Sequence, residues 1–457
     1  MINSSFPRWI LVALIIVVGV AERVRLWAAD NSLWLDEASI ALNVVERSPL
    51  RLLQPLDYGQ VAPPVFLELM KLATWAFGPG ELALRLVPLL SGIAACVVFY
   101  FAARELIGDT GALLSLWFFS TASGLVKYSS EAKQYSGDVL ATSFALWLTA
   151  RILNRDDKPL LFVAYGVVAT MLIWFSHPAA FVLVGMSSAM LIARRRTHLR
   201  WVVLASIPWA ASFAGLYVLS LRRFTKDTGL LDFWSEAFVP HNLGAFRWFY
   251  DTTVQAFRLL SVNAIPIAAV LAVVGVVLLS RGGHWWRAIM VTLPIAAALA
   301  ASAFRLYPIA GRLELFLVPC VLILFAGAIT HVAAMFPRIR ILSMCVVLVL
   351  FSRTALQFAY RVATHPEQFA VDFRDVFRAA EKDPRCANGP IVVQEGDART
   401  LTFYKRHLNI DPRNRAVITD RISSRCYWQV TVPGAHLSAA TLAGPGAVAL
   451  LIDRDEQ

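Results

Sequence analysis

Apolar runs of about 18 to 22 residues recur along this chain from residue 9 to about residue 353 and then stop. Each is long enough to cross about 30 Å of hydrocarbon at about 1.5 Å per residue. The pattern predicts membrane helices over 8–28, 83–104, 110–128, 137–153, 159–176, 178–193, 200–221, 262–280, 288–304, 313–334 and 340–358. One further run, "APPVFLELMKLATWAFG" at 62–78, carries Glu68 and Lys71 in its middle. Burying that pair in lipid costs several kcal/mol, so the segment is expected to lie along the interface. The fold expected is an α-helical polytopic membrane protein with about 11 transmembrane helices over 1–358, including a large outer loop, 29–82, that holds interface helices.

After residue 358 the pattern changes. "DFRDVFRAAEKDP" reads as an amphipathic helix, whereas "GPIVVQE" and "GAVALLID" read as short strands. Residues 359–457 are therefore expected to form a small soluble C-terminal α/β domain.

Composition agrees with this outline. The chain has 457 residues, 58% hydrophobic and 16% charged, with mean hydropathy +0.60, more apolar residue than a soluble core of this length could bury. The first run, "WILVALIIVVGV" followed by "WAAD", has some features of a secretory signal. Glu22, Arg23 and Arg25 interrupt the place where cleavage would occur, so it is read as an uncleaved first span.

Net charge of +11 raises the question of nucleic acid, but no basic stretch is interleaved with aromatics as in single-strand binders. The basic residues stand at the ends of apolar runs instead. If 62–78 does not cross, Arg8, Arg104, Arg151 with Arg155 and Lys158, Arg194 to Arg196 with Arg200, Arg281 with Arg287, and Arg338 with Arg340 all fall on one side. By the positive-inside rule that side is cytoplasmic. The opposite, extracytoplasmic face of a multi-pass cell membrane protein then receives "LWLDEAS", "YSSEAKQYSGD", the "SHP" around His177, the loop 222–261, "RLYPIAGRLE" and the tail. Five cysteines form no CxxC; Cys96, Cys320 and Cys345 read as packing residues, and Cys386 and Cys426 can pair if the tail is outside the cytoplasm.

Candidate chemistry gathers on that outer face. Asp36 and Glu37 precede a helix expected near Ala38, where one carboxylate can cap the N-terminus and the other act as a general base. "SSEAKQYSGD" adds Glu131, Lys133, Tyr135 and Asp138, and Arg222, Arg223, Arg305 and Arg312 stand on neighbouring loops, suited to holding phosphate. His177 has no second His or Cys at ligand spacing and reads as a hydrogen-bonding group at a span end; no metal site is assigned. The absence of GxxxxGK[ST], GxGxxG and HExxH removes support for nucleotide-driven transport, a Rossmann nucleotide site and a zinc protease.

In order along the chain, "LWLDEASIALNV", "QVAPPVFLELMKLATWAFGPGELALRLVPLLSG", "SSEAKQYSGD", "SHPAAFVLV" and "RLELFLVPCVLILFAGAI" resemble the marks of the polyprenyl-phosphate-sugar-dependent glycosyltransferases of the GT-C fold. That group includes the protein O-mannosyltransferases and the bacterial aminoarabinose transferases that modify lipid A. The resemblance covers roughly residues 20–335. It implies an acidic residue of the first outer loop acting on the acceptor, matched by Asp36 and Glu37. The second-loop pattern Glu-Ala-Arg-x-Tyr is matched by Glu131, Ala132, Lys133, Gln134 and Tyr135, with Lys where Arg is usual. A late Arg-Tyr is replaced by Arg312-Leu313, which keeps the cation and loses the aromatic.

The reaction so implied is one inverting displacement at the anomeric carbon, with Asp36 as base and Lys133, Arg312 and Arg222 or Arg223 stabilising the departing polyprenyl phosphate. Glu37, Glu131, Asp138, Tyr135 and His177 are expected to orient groups or contact the donor sugar. No cofactor is required, and a divalent cation bridging carboxylate and phosphate is compatible with the scheme. Two alternatives stand beside it. A lipid-linked-sugar flippase would place charges in mid-span and show paired broken helices, and a polysaccharide polymerase or ligase would share the chemistry. The sugar, and whether the acceptor is protein, lipid or envelope glycan, are not specified by any local motif.

Overall fold

The computed structural model describes residues 7–154, 159–194, 199–281, 284–336, 338, 340–366, 373–382, 390–393, 398–411, 416–418, 426–431, 441–444 and 447–453. Cys386 lies outside them, so its pairing with Cys426 is not addressed by the structure.

The first apolar run is a single helix, α1 (Arg8–Trp27). Four short helices then build the first loop: α2 (Leu35–Glu46), α3 (Pro49–Leu52), α4 (Pro64–Phe77) and α5 (Glu81–Leu84). α4 is the charged run. It starts on a proline, whose missing N–H costs nothing in a first turn, and stops at Gly78 with φ 86°. Its 14 residues are too few to cross a bilayer. One face (Phe66, Leu67, Met70) is buried in the same core as Ala38, Ile40 and Leu42 of α2, and the other (Leu69, Leu72, Trp75, Phe77) is exposed. Lys71 turns inward and donates from Nζ to the Val44 carbonyl at 2.8 Å.

α6 (Leu86–Thr121) covers two predicted spans as one bent element. Gly108, at φ 74° and ψ 178°, reverses the chain in a conformation that a side chain would strain. Its arms return side by side, with Phe99 stacked on Phe119 at 4.3 Å. α7 (Ser123–Lys127), α8 (Tyr135–Asn154), α9 (Pro159–Phe175), α10 (Ala179–Arg194) and α11 (Leu199–Leu216) follow, α11 continuing as a π turn to Leu221. The stretch 222–261 is more than a loop, since it holds α12 (Thr228–Phe233) and α13 (Ala245–Leu259). The bundle is completed by α14 (Ile265–Leu279), α15 (Trp286–Ala303), α16 (Val318–Ala334), entered through the 3-10 segment Gly311–Leu317, and α17 (Arg340–Thr364).

The chain is a helical membrane protein. Among the described residues, five helical stretches are long and apolar enough to cross by length and composition: Leu86–Thr121, Leu199–Leu221, Trp286–Ala303, Gly311–Ala334 and Cys345–Thr364. Some helices meet backbone to backbone: a Cβ placed on Gly275 of α14 would lie 2.2 Å from the Leu324 carbonyl oxygen of α16. Cys96 and Cys320 are buried as expected, but Cys345 is exposed on α17, so it is not a packing residue of the bundle interior.

Charge marks one end of the bundle. Arg8 and Arg104 both reach Asp109 at 2.7 Å, Arg151 reaches Glu105 at 3.5 Å, and Arg287 donates to the Leu106 carbonyl at 3.4 Å, all around the turn of α6. At the other end lies the tail. α18 (Phe373–Lys382) and α19 (Ala398–Leu408) accompany β1 (Ile391–Val393), β2 (Ala416–Val417), β3 (Cys426–Thr431), β4 (Thr441–Gly444) and β5 (Ala447–Asp453). The strands form one sheet in the order β2-β1-β3-β5-β4, with β1 parallel to β2 and β3, and β5 antiparallel to β3 and β4. Phe377, Ile391, Val393, Leu401, Phe403, Tyr404 and Trp428 are buried in the same core as Leu33, Ile40, Phe66 and Met70 of the first loop.

Candidate active site

The site is built on the first turn of α2. Carboxylates are favoured there by the N-terminal end of the helix dipole, yet the two adjacent ones have different surroundings. Glu37 is 1% exposed and closed in by donors. Its Oε2 accepts the Trp34 N–H at 3.3 Å, capping the helix, and its Oε1 accepts the Ala132 N–H at 2.6 Å. Arg85 adds a two-pronged pair, Nε to Oε1 at 2.8 Å and Nη2 to Oε2 at 2.7 Å. Arg85 also donates to the carbonyls of Asn31 and Ser32. Glu37 thus joins the first loop to the start of α6 and to the second loop.

Asp36, one residue earlier, faces the other way. Its Oδ2 meets Nη2 of Arg312 at 2.5 Å. The Arg312 guanidinium lies 5.0 Å from the Trp34 ring centre and 5.8 Å from that of Tyr135, between two aromatic faces. Tyr135 in turn packs edge-on against Tyr128 at 5.4 Å. Residues 276 positions apart are therefore in direct contact, and the Arg312 Nε is buried without a hydrogen-bond partner.

The second loop supplies the remaining charges. Lys133 donates from Nζ to Gln60 Oε1 at 2.6 Å, and Gln134 donates to the Val61 carbonyl at 3.2 Å, clamping the chain ahead of α4. Burial lowers the Lys133 pKa to about 8, against the opposing effect of Asp36. Glu131 lies 3.7 Å from Lys127, and its Oε2 is buried with no hydrogen-bond partner. Burial first, and the Glu37 charge second, raise its carboxyl to about 7.

The other predicted residues lie apart from this contact set. Asp138, in the first turn of α8, is buried with Oδ1 unpartnered. His177, between α9 and α10, has Nε2 unpartnered, and burial lowers it to about 4, so it is neutral near pH 7. Arg222, Arg223 and Arg305 are exposed; Arg222 and Arg223 follow the π turn of α11 and make no ion pair with the cluster. Among the described residues, no group of three or more His, Cys, Asp or Glu side chains gathers as a metal ligand set.

Arg85, Trp34, Gln60 and Tyr128 were not singled out from sequence. A signal existed for Arg85, a charge within the apolar run at 83–104, because an ionisable group beside apolar surroundings ordinarily has a partner. A carboxylate, Asp36, thus meets an arginine that lies beside two aromatic rings, with Lys133 within electrostatic reach and a second carboxyl, Glu131, raised to about 7. Such a set can accept a proton from a hydroxyl and hold an anionic leaving group.

Residues 61–222 match the family model described as dolichyl-phosphate-mannose-protein mannosyltransferase. No curated protein matches the sequence significantly. Among solved structures, the fold is similar to that of ArnT from Cupriavidus metallidurans bound to undecaprenyl phosphate, at 14% identity and TM-score 0.54, over 97% of each chain. The apo state of the same protein gives 15% identity and TM-score 0.54 over 98% of each. An oligosaccharyltransferase from Archaeoglobus fulgidus gives 12% identity and TM-score 0.53 over 85% of this chain and 61% of that one. The fold is GT-C-like. Family match and fold together bear out the resemblance carried by the ordered motifs, that of a membrane glycosyltransferase using a lipid-phosphate-linked sugar.

Proposed function

We propose that this membrane glycosyltransferase transfers a sugar from polyprenyl phosphate to an acceptor hydroxyl on the extracytoplasmic face, with inversion. The observation that carries the reading is the Asp36–Arg312 pair held between Trp34 and Tyr135. The arginines gathered around the α6 turn support an orientation in which that end is cytoplasmic and the Asp36 end, with the tail, is outside. The helices found at all eleven predicted runs support a bundle of that many crossings, with the tail as a small α/β unit.

In the reaction, Asp36 takes the acceptor proton as the acceptor oxygen bonds to the anomeric carbon. The bond from that carbon to the phosphate oxygen breaks in the same displacement, and polyprenyl phosphate departs with the negative charge. Arg312 and Lys133 stabilise that charge. The donor phosphate competes with Asp36 for Arg312, so donor binding loosens the ion pair and frees the carboxylate for the acceptor. Glu37 and Arg85 fix the direction of α2, a positioning role and not a proton-transfer one. Arg222 and Arg223 serve at most in donor approach, being exposed and outside the contact set.

The test is a panel of synthetic polyprenyl-phosphate sugars, incubated with the purified protein and envelope acceptor extract, with release of polyprenyl phosphate followed. Release that needs both acceptor and Asp36, and survives EDTA, is expected. Transport of the intact lipid-linked sugar across proteoliposomes without its cleavage would replace the reading by that of a flippase.

A further inference from the structure

The acidic first turn of α2 is reached by a run of buried contacts that starts in the C-terminal tail. Tyr404 of α19 is fully buried, and its hydroxyl oxygen accepts the Leu33 N–H at 2.7 Å while its O–H donates to Glu81 Oε1 at 3.0 Å. The same Glu81 oxygen is paired with Nη1 of Arg374, from α18, at 2.7 Å. Arg374 continues onto the segment before α2: its N–H donates to Ser32 Oγ at 2.9 Å and its Nη2 to the Asp30 carbonyl at 2.9 Å. Glu81 opens α5, and its carbonyl accepts the N–H of Arg85, the residue that grips Glu37. Residues 30–33 therefore have hydrogen-bond partners in the tail on one side and in Arg85 on the other.

We infer that Tyr404 is a positioning residue of the catalytic centre, through which the C-terminal tail sets the place of Asp36 by holding the Leu33 backbone and Glu81. It touches neither donor nor acceptor. Its effect runs through geometry: Leu33 is three residues from Asp36, and Asp36 must sit both within reach of the acceptor oxygen and beside Arg312. Small displacements of a base cost rate far more than they cost binding. Desolvation and the neighbouring Glu81 raise the Tyr404 pKa, so its O–H remains available as a donor to Glu81 throughout the physiological range. The inference rests on the reading of Asp36 as the base, and its test separates the two.

The variant is Tyr404→Phe, which removes one oxygen and keeps the ring in its core, where it packs edge-on against Phe403 at 5.6 Å. The control is Arg406→Ala, which breaks a 2.9 Å pair with Glu46 near the exposed end of the same helix without touching the relay. In the full-length protein in detergent, amide hydrogen exchange over residues 31–36 is expected to rise in Tyr404→Phe and to stay at the wild-type level in Arg406→Ala. With the donor that proves active in the panel, kcat is expected to fall about tenfold or more in Tyr404→Phe. The affinity for undecaprenyl phosphate, used as the probe, should stay within about twofold of wild type, because the phosphate-holding cations are undisturbed. Should Tyr404→Phe not accumulate, Glu81→Gln weakens the same relay from its other end and is expected to give the same exchange and rate changes. Unchanged exchange over 31–36 in a folded Tyr404→Phe protein overturns the inference, as does an equal loss of kcat in Arg406→Ala. A wild-type protein inactive with every donor overturns the transfer reading instead, and the exchange experiment still decides the relay.

Discussion

Two neighbouring carboxylates have opposite circumstances, and that difference sets what each substitution should do. Asp36→Asn keeps shape and removes the proposed base, so transfer should fall by about 10²- to 10⁴-fold while undecaprenyl phosphate binding persists; near-normal transfer would remove Asp36 from the role. Glu37→Gln breaks a buried pair with Arg85 and should cost about 3–5 kcal/mol of stability. It should be seen first as a lowered melting temperature, with kcat per folded molecule less affected than in Asp36→Asn. Lys133 supplies a pH signature. Its pKa is lowered to about 8, so it is cationic below that value and neutral above it. If Lys133 stabilises the leaving phosphate as proposed, loss of the cation weakens that stabilisation, and the rate should decline as pH rises through about 8. Lys133→Arg, which stays charged, should move that decline to higher pH. At this scale residue type was legible: Asp36, Glu131, Lys133, Tyr135 and Arg312 stand out in the sequence as candidates, and the structure brings them into one cluster. What could not be read was partnership. Nothing in "LWLDEAS" says that Glu37 rather than Asp36 is engaged by an arginine 48 residues away.

Among elements, the apolar periodicity located the helices closely because burial in lipid or core demands long apolar runs. The charge pair in 62–78 gave the nature of α4, a half-buried helix too short to cross. It was less informative on 222–261, where α13 is amphipathic and short, a pattern that reads equally as polar loop. Close packing of elements offers a sharper experiment. A Cβ on Gly92 of α6 would stand 2.6 Å from Ser129 Cβ, pressing on the loop that carries Glu131 and Lys133. Gly92→Ala should therefore reduce transfer at a modest stability cost of about 1–3 kcal/mol. Gly275→Ala, pressing on the Leu324 carbonyl far along the chain from that loop, should lower stability with kcat preserved in the protein that folds. Equal rate losses in the two would show that general loosening, and not displacement of the second loop, governs activity.

For the molecule as a whole, the distribution of positive charge predicted which helix ends lie together, and Arg8, Arg104, Arg151 and Arg287 do gather around one turn. Single cysteines introduced at Arg104 and Arg51, both exposed, should be labelled from opposite sides in intact cells, Arg51→Cys from outside; labelling of Arg104→Cys from outside would reverse the orientation. The relation of the tail to the rest was not legible, because its core residues pair with partners more than 300 positions earlier and no local pattern records such a match. The shared core of the first loop and the tail has a consequence for biosynthesis. Leu33, Ile40, Phe66 and Met70 leave the ribosome more than 300 residues before Phe377, Leu401, Phe403 and Trp428, which help to cover them. The growing chain thus holds an apolar surface open until those residues emerge. A chain ended at residue 366 should insert its helices in the membrane yet leave the segment 29–82 readily cut by added protease, in contrast to the full-length protein.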